Sequence, residues 1–305
     1  MTIRFWGVRG SYPVPGADTA RYGGNTSCVE VRLNDGTHII LDAGSGIRPL
    51  GHALMEGAFG QGVGEAHLLI SHTHWDHIMG FPFFEPANVS GNRLTIWGRK
   101  REGYPLKDVF AGQQVFPFSN RPFDNFKADL EFKEILEGEP FSVGGAKVIA
   151  VHLNHPFHDL GYRIEADGKI LSYVTDTSPY EDILLEDEFV KDPNDAMPAI
   201  GTPAAERQQA CYDSVIESLK DADLAIYDTF FEPEGYESRP HWGHSTPVHA
   251  IESCKKAGVK CLALFHHAPD NTDAAMDDVV AKYQGEVSSD PLEVLGAREG
   301  EELTL

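Results

Sequence analysis

The chain has 305 residues, of which 41% are hydrophobic and 24% charged, an ordinary balance for a protein with a sizeable buried core. With 47 acidic against 25 basic side chains, its formal charge of −22 repels polyanions and argues against a long nucleic-acid polymer as substrate. No run approaches the roughly 20 apolar residues that a bilayer crossing needs, and the opening MTIRFWGVRGSYP lacks a signal-peptide layout, so a cytoplasmic protein without a membrane partner is expected.

Such a length lies at the upper edge of what one core supports, roughly 250–300 residues. No low-complexity linker or strong repeat divides it, so a single domain over 1–305 is expected, with an acidic insertion at about 181–205. Within that insertion EDILLEDEFVKDPND (181–195) carries seven acids against one lysine, the composition of a solvated loop or helix face rather than a site.

In chain order, the short β-branched runs TIRFWG, CVEVRL, HIILDAG, HLLISH, RLTIWG, KVIAVHL, LGYRIEA and KILSYVTD read as strands bounded by Gly, Pro, Asn and Asp turns. The last two form a hairpin turned at Asp167–Gly168. Helical periodicity follows over 203–222 and over 245–258, the second helix capped by Ser245 and closed by Gly258. Each leads into a further apolar run, ADLAIYD and VKCLALFHH. Strands first, then helix–strand units, predict an α/β protein with sheets packed together and helices outside.

Two phenylalanine-rich stretches, GFPFFEP (80–86) and QQVFPFSNRPFDNF (113–126), read as loop anchors in the core; the alternative is an apolar wall or dimer contact beside a site. Cys28, Cys211, Cys254 and Cys261 show no CxxC spacing and read as reduced thiols.

The chemistry concentrates in LLISHTHWDHIMGFPFF (68–84), where His72, His74, Asp76 and His77 follow an apolar strand expected to end at Ser71. Residues two apart in extended chain point the same way, so His72 and His74 can grip one ion. Asp76 and His77, where the chain turns toward a helix, face another direction, and two ligand sets from one loop suggest two metal ions. Burying so many polar groups beside a strand without a metal would be unfavourable. Further donors stand at other strand ends: His152 and His155 in VIAVHLNHP, Asp176 in ILSYVTDTS, and His266 and His267 in CLALFHHAP. His158 competes with His152 and His155. The glycine-rich LDAGSG lacks the GxxxxGK[ST] layout of a phosphate loop. Arg9 in VRGS and Asn25 in GGNTS are candidates either for contacting substrate phosphate or for stabilising turns.

HTHWDH, read as HxHxDH, resembles the signature of the metallo-β-lactamase superfamily. LDAG with Asp42, LNHP with His155, VTDT with Asp176 and LFHH with His266 follow in that superfamily's order. GHST (243–246) narrows the resemblance to the tRNA 3′-endonuclease (RNase Z) branch and its relatives that cleave small cyclic phosphodiesters. The resemblance implies an αββα sandwich of two mixed β-sheets face to face. It also implies one ion on His72, His74 and His155 and a second on Asp76, His77 and His266, with Asp176 bridging. Asp42 would orient the ligand loop, and His244 would act on a phosphate oxygen or the leaving group. His267 is the alternative to His266, or a substrate contact.

The implied activity is hydrolysis of a small or cyclic phosphodiester by hydroxide shared between two divalent ions, with Asp76, Asp176 and His244 as the catalytic residues. Nitrogen and oxygen donors favour zinc, with manganese or iron as alternatives. A homodimer is common in such a family. Two competing readings remain at this stage: hydrolysis of lactones, thioesters or amides, and a non-catalytic metal-binding sensor.

Overall fold

TIRFWG alternates half-buried and buried positions along its length and forms the first strand, β1 (Thr2–Gly7). The computed structural model describes residues 1–155, 159–179, 203–239 and 242–305. The chain divides into two compact units, Met1–Leu136 with Ser142–Ala146 and Arg298–Leu305, and Glu137–Phe141 with Lys147–Ala297. The acidic segment 181–195 and His158 lie outside the described residues.

In the first unit β1 is followed by β2 (Cys28–Arg32), β3 (His38–Leu41), helix α1 (Ile47–Leu54), β4 (Glu65–Leu69), the single turn α2 (Trp75–Ile78), β5 (Arg93–Arg99), α3 (Leu106–Gly112) and β6 (Asp129–Ile135). The sheet runs from the C-terminal strand Glu302–Thr304 through β1, β2, β3, β4 and β5 to β6. Its first three ladders are antiparallel and its last three parallel. The phenylalanine stretches split in their roles. Phe81, Phe84 and Phe110 are fully buried, and Phe81 meets Phe110 and Phe126 edge-on at centroid distances of 5.0 and 5.3 Å. Phe116 and Phe118 are instead exposed.

The second sheet and the helices that follow in sequence comprise β7 (Pro140–Val143), β8 (Ala146–Leu153), β9 (Asp159–Ala166), β10 (Lys169–Val174), α4 (Pro203–Leu219), β11 (Leu224–Asp228), α5 (Pro233–Glu237), α6 (Pro247–Ala257), β12 (Cys261–Phe265), α7 (Asp273–Glu286) and β13 (Glu293–Gly296). Sheet order is β13, β12, β11, β10, β9, β8, β7, and antiparallel pairing again gives way to three parallel ladders. Helices α4 and α6 pack together, and α6 also lies on β11 and β12. Strands covered this way read as continuous apolar runs, which is why all of LAIYD is buried.

The predicted hairpin forms between β9 and β10, with Asp167 at φ 56° and Gly168 at φ 71°, the paired positive angles of a tight turn matched to strand twist. One cap differs from expectation. Helix α6 is capped by Thr246, whose hydroxyl accepts from the His249 N–H, while the Ser245 hydroxyl donates to the Thr177 carbonyl at 2.5 Å. Gly258 closes the helix at φ 73°, as its sequence position suggests. All four cysteines are free, and burial, reinforced by the charges of Asp42 and Glu30, pushes the Cys28 thiol well above its ordinary range.

Both sheets place candidate site residues at the carboxyl ends of parallel strands, where open α/β sheets bind ligands. In the first unit β3 leads into Asp42 and β4 into His72. In the second, the neighbouring strands β10, β11 and β12 lead into Asp176, Asp228 and His266. Three of these residues, Asp42 at φ 61°, Asp176 at φ 26° and His266 at φ 59°, hold left-handed backbone angles that non-glycine residues rarely adopt. Each costs about 1–3 kcal/mol, a strain that concentrates at functional sites.

Candidate functional site

Strand β4 ends at Leu69, two residues before the predicted boundary, and the chain then runs through Ser71 to His72, His74 and α2, which carries Asp76 and His77. His72 Nε2 lies 2.8 Å from His74 Nδ1, so the two imidazoles present nitrogen toward a common point. His77 sits against His72 with ring centroids 4.2 Å apart, and its Nε2 is 3.4 Å from Asp76 Oδ2. His72, Asp76 and His77 are all buried.

Asp42 holds this loop from below. It is fully buried, accepts the Ser71 N–H at 2.7 Å and the Ser71 hydroxyl at 2.9 Å, and sits 2.8 Å from His77 Nδ1. A carboxylate on Nδ1 fixes the tautomer and turns the Nε2 lone pair outward, the usual partner of a metal-binding imidazole. The Ser11 N–H donates to Asp76 Oδ2 at 2.7 Å, fixing the second carboxylate of the unit.

Gly44, two residues after Asp42, permits the close approach of these loops. A β-carbon there would run into the Asp76 carbonyl oxygen and stand 2.8 Å from the Ser27 carbonyl oxygen. Gly44→Ala is expected to lower stability by about 1–3 kcal/mol through overpacking. Urea denaturation measures it, and an unchanged midpoint would show that the loops relax freely.

In the second unit His155 and His266 flank Asp176. Its Oδ1 is 3.1 Å from His266 Nε2 and its Oδ2 3.7 Å from His155 Nε2, so each carboxylate oxygen meets a different imidazole. His155 Nδ1 donates to the Gly243 carbonyl at 2.8 Å, again leaving Nε2 to face outward. His267 turns away, with Nε2 2.9 Å from the Ala297 carbonyl oxygen. His152 is half-buried within β8, while His155 is buried beyond its end. Among the alternatives that the sequence leaves open, the geometry gathers His155 and His266 around Asp176.

His244 is buried beside this set. Its Nδ1 is 3.0 Å from Asp228 Oδ2, and its ring stacks on Phe230 at 4.5 Å with 14° between planes. Asp228, His244 and His266 together offer donor atoms within 4.8 Å of one another.

A family model described as a β-lactamase superfamily domain matches residues 37–198. The chain belongs to the metallo-β-lactamase superfamily. It is a metal-dependent hydrolase of that superfamily, and its two seven-stranded mixed sheets with helices are the fold expected of it. Ribonuclease Z of Limosilactobacillus reuteri (strain DSM 20016) is 30% identical over 65% of this chain and 69% of its own length. Ribonuclease Z of Haloarcula marismortui is 24% identical over 94% of this chain and 93% of its own. The solved metallo-β-lactamase fold protein YhfI from Bacillus subtilis superposes with a TM-score of 0.65 at 18% identity, covering 99% of this chain and 98% of that one.

Asp228 is the member of the buried cluster with His244 and His266 that sequence reasoning missed. It is fully buried and accepts the N–H groups of Thr177, Phe230 and Ser245 at 3.1, 3.0 and 3.3 Å besides facing His244. Its signal was present: AIYD ends an apolar strand on an acid, as VTD does. Arg9 and Asn25, candidates either for phosphate contact or for stabilising turns, both make hydrogen bonds that hold their loops. Arg9 is fully buried with Nε donating to the Gly23 carbonyl at 2.8 Å. The Asn25 amide donates to Glu299 at 3.0 Å and its carbonyl accepts from Ser45 at 2.9 Å. Burial raises the Glu299 carboxyl above its ordinary range, although the Asn25 hydrogen bonds act the other way. Among the described residues no helix is long and apolar enough to cross a membrane.

Proposed function

We propose that residues 1–305 act as one catalytic domain, a two-metal phosphodiesterase on small or cyclic phosphodiesters. His72, His74 and His155 would hold one ion and Asp76, His77 and His266 the second, with Asp176 between them. One observation carries the reading: Asp176 offers its two oxygens to two different imidazoles, the disposition of a bridging carboxylate. The donor chemistry fits, because the nitrogens of His77 and His155 that face away from the proposed ions are already engaged by Asp42 and by the Gly243 carbonyl. Imidazole and carboxylate donors suit zinc, with manganese or iron as alternatives.

Two divalent cations held there would supply a nucleophile at neutral pH and neutralise charge on the phosphoryl oxygens. The chain's own residues supply the rest. Asp228 accepts the Nδ1 proton of His244, leaving Nε2 to carry a proton to the departing alkoxide, and the stacked Phe230 fixes the ring plane. A dedicated proton donor suits a substrate with a poor leaving group, such as an unactivated phosphodiester.

The test is hydrolysis of bis(p-nitrophenyl) phosphate by zinc- or manganese-loaded protein. Turnover that follows metal content supports the reading; no turnover with both metals bound would redirect it to lactones, thioesters or amides. RNA is the second reading, favoured by the 30% identity to a ribonuclease Z. The charge of −22 weighs against it, since phosphate neutralisation supplies most polymer affinity. Cleavage of a structured RNA at low salt, with no activity on small diesters, would make it the better one.

A further inference from the structure

Between α5 and α6 the chain runs through Trp242, Gly243, His244 and Ser245, and the last three belong to the site. The Gly243 carbonyl accepts from His155 Nδ1 at 2.8 Å, His244 Nδ1 faces Asp228 at 3.0 Å, and the Ser245 N–H donates to the same carboxylate at 3.3 Å. Those three residues are buried, whereas Trp242 is 46% exposed.

Aromatic contacts hold the indole. Its ring meets Phe231 at a centroid distance of 5.9 Å, and the Arg239 guanidinium lies 5.0 Å from its centroid, a cation–π contact. Phe231 in turn stands 6.1 Å from the His244 ring, on which Phe230 stacks. Phe230, Phe231 and Tyr236 form a buried apolar cluster, so an aromatic wall runs from the proposed proton donor to a half-exposed indole. Single exposed apolar side chains are common. The place of this one, at the outer end of that wall, is what sets it apart. His244 hands its proton to the departing alcohol, so whatever that alcohol carries lies nearest the wall. A fixed indole suits a planar ring, and stacking needs no positive charge from a chain whose formal charge is −22.

We propose that Trp242 is a specificity-determining residue that stacks a planar ring, such as a nucleobase, carried by the departing alcohol. The inference rests on the phosphodiesterase reading and narrows it to nucleoside phosphodiesters.

The test compares adenosine 3′,5′-cyclic phosphate with the 3′,5′-cyclic phosphate of 1-deoxyribose, which lacks the base, using metal-loaded protein. In a cyclic diester the departing alkoxide stays on the sugar, so the base is always on the leaving side. Wild type is expected to favour the adenosine compound by about tenfold in kcat/KM, the size of one base–aromatic stack. Trp242→Ala should bring that ratio toward unity, with the loss on the adenosine compound falling on KM rather than kcat. Trp242→Phe should keep most of the preference. A wild-type ratio near one overturns the proposal. So does a Trp242→Ala variant that slows both compounds equally, because that is the signature of a brace for His244. If neither cyclic phosphate is cleaved, titration of the indole fluorescence with adenosine 3′-monophosphate decides. Quenching in wild type that disappears in Trp242→Phe upholds the stack; no quenching, or the same quenching in both proteins, overturns it. Turnover of bis(p-nitrophenyl) phosphate, measured alongside, shows separately whether the phosphodiesterase reading has failed.

Discussion

Asp176→Ala is expected to abolish most metal-dependent turnover, lowering kcat/KM by about a thousandfold, which corresponds to about 4 kcal/mol of transition-state stabilisation. Its two oxygens face His266 and His155 at 3.1 and 3.7 Å, so its loss removes a donor from both proposed ions at once. Metal content, measured by plasma mass spectrometry, should fall from about two ions per chain to one or fewer. Thermal stability gives a separate readout. Metal binding to the folded state adds to stability, so chelation should lower the midpoint of wild type more than that of the variant. Asp176→Asn keeps the shape and removes the charge, and should resemble Asp176→Ala in metal content. A variant that keeps two ions and full turnover would sink the bridging role.

How much of this was legible beforehand depends on whether a feature is local. His72, His74, Asp76 and His77 lie within six positions, so their joint purpose could be read without knowing the fold. The strands of the sheet interiors were legible for a similar reason: burial on both faces forces continuous apolar runs such as LAIYD and CLALF. Strand β6 was not, because DLEFKEI lies at the sheet edge with only partly buried side chains and reads as a charged segment. Helix α7 also went unread, its sequence DAAMDDVVAKYQGE carrying little apolar periodicity.

At the site, choosing His266 over His267 needed the backbone, since one residue of rotation at a strand end decides which imidazole meets Asp176. Asp228 was hidden for another reason. Its partner His244 lies 16 residues away on a different loop, and only the parallel pairing of β10, β11 and β12 aligns their carboxyl ends. Arg9 and Asn25 show the converse hazard. Polar residues in glycine-bounded loops look like substrate contacts, and the backbone was needed to show that these two also make hydrogen bonds that hold the loops.

The leaving group should determine how much His244 matters. For a diester that expels a ribose alkoxide, His244→Ala is expected to reduce kcat by about 10²–10⁴-fold, the range for a positioned general acid. For bis(p-nitrophenyl) phosphate the loss should be about tenfold or less, because p-nitrophenolate departs without needing a proton. Asp228→Asn should show the same dependence on leaving group. An amide in place of the carboxylate can leave the imidazole in the wrong tautomer even where the geometry survives. Because the two residues act as one unit, the double variant should be little worse than either single one. Asp228 also accepts three backbone N–H groups, and a purely structural loss would slow both substrates equally. Parallel losses on both leaving groups would remove His244 from proton transfer and leave Asp228 as a brace for the loops after β10 and β11.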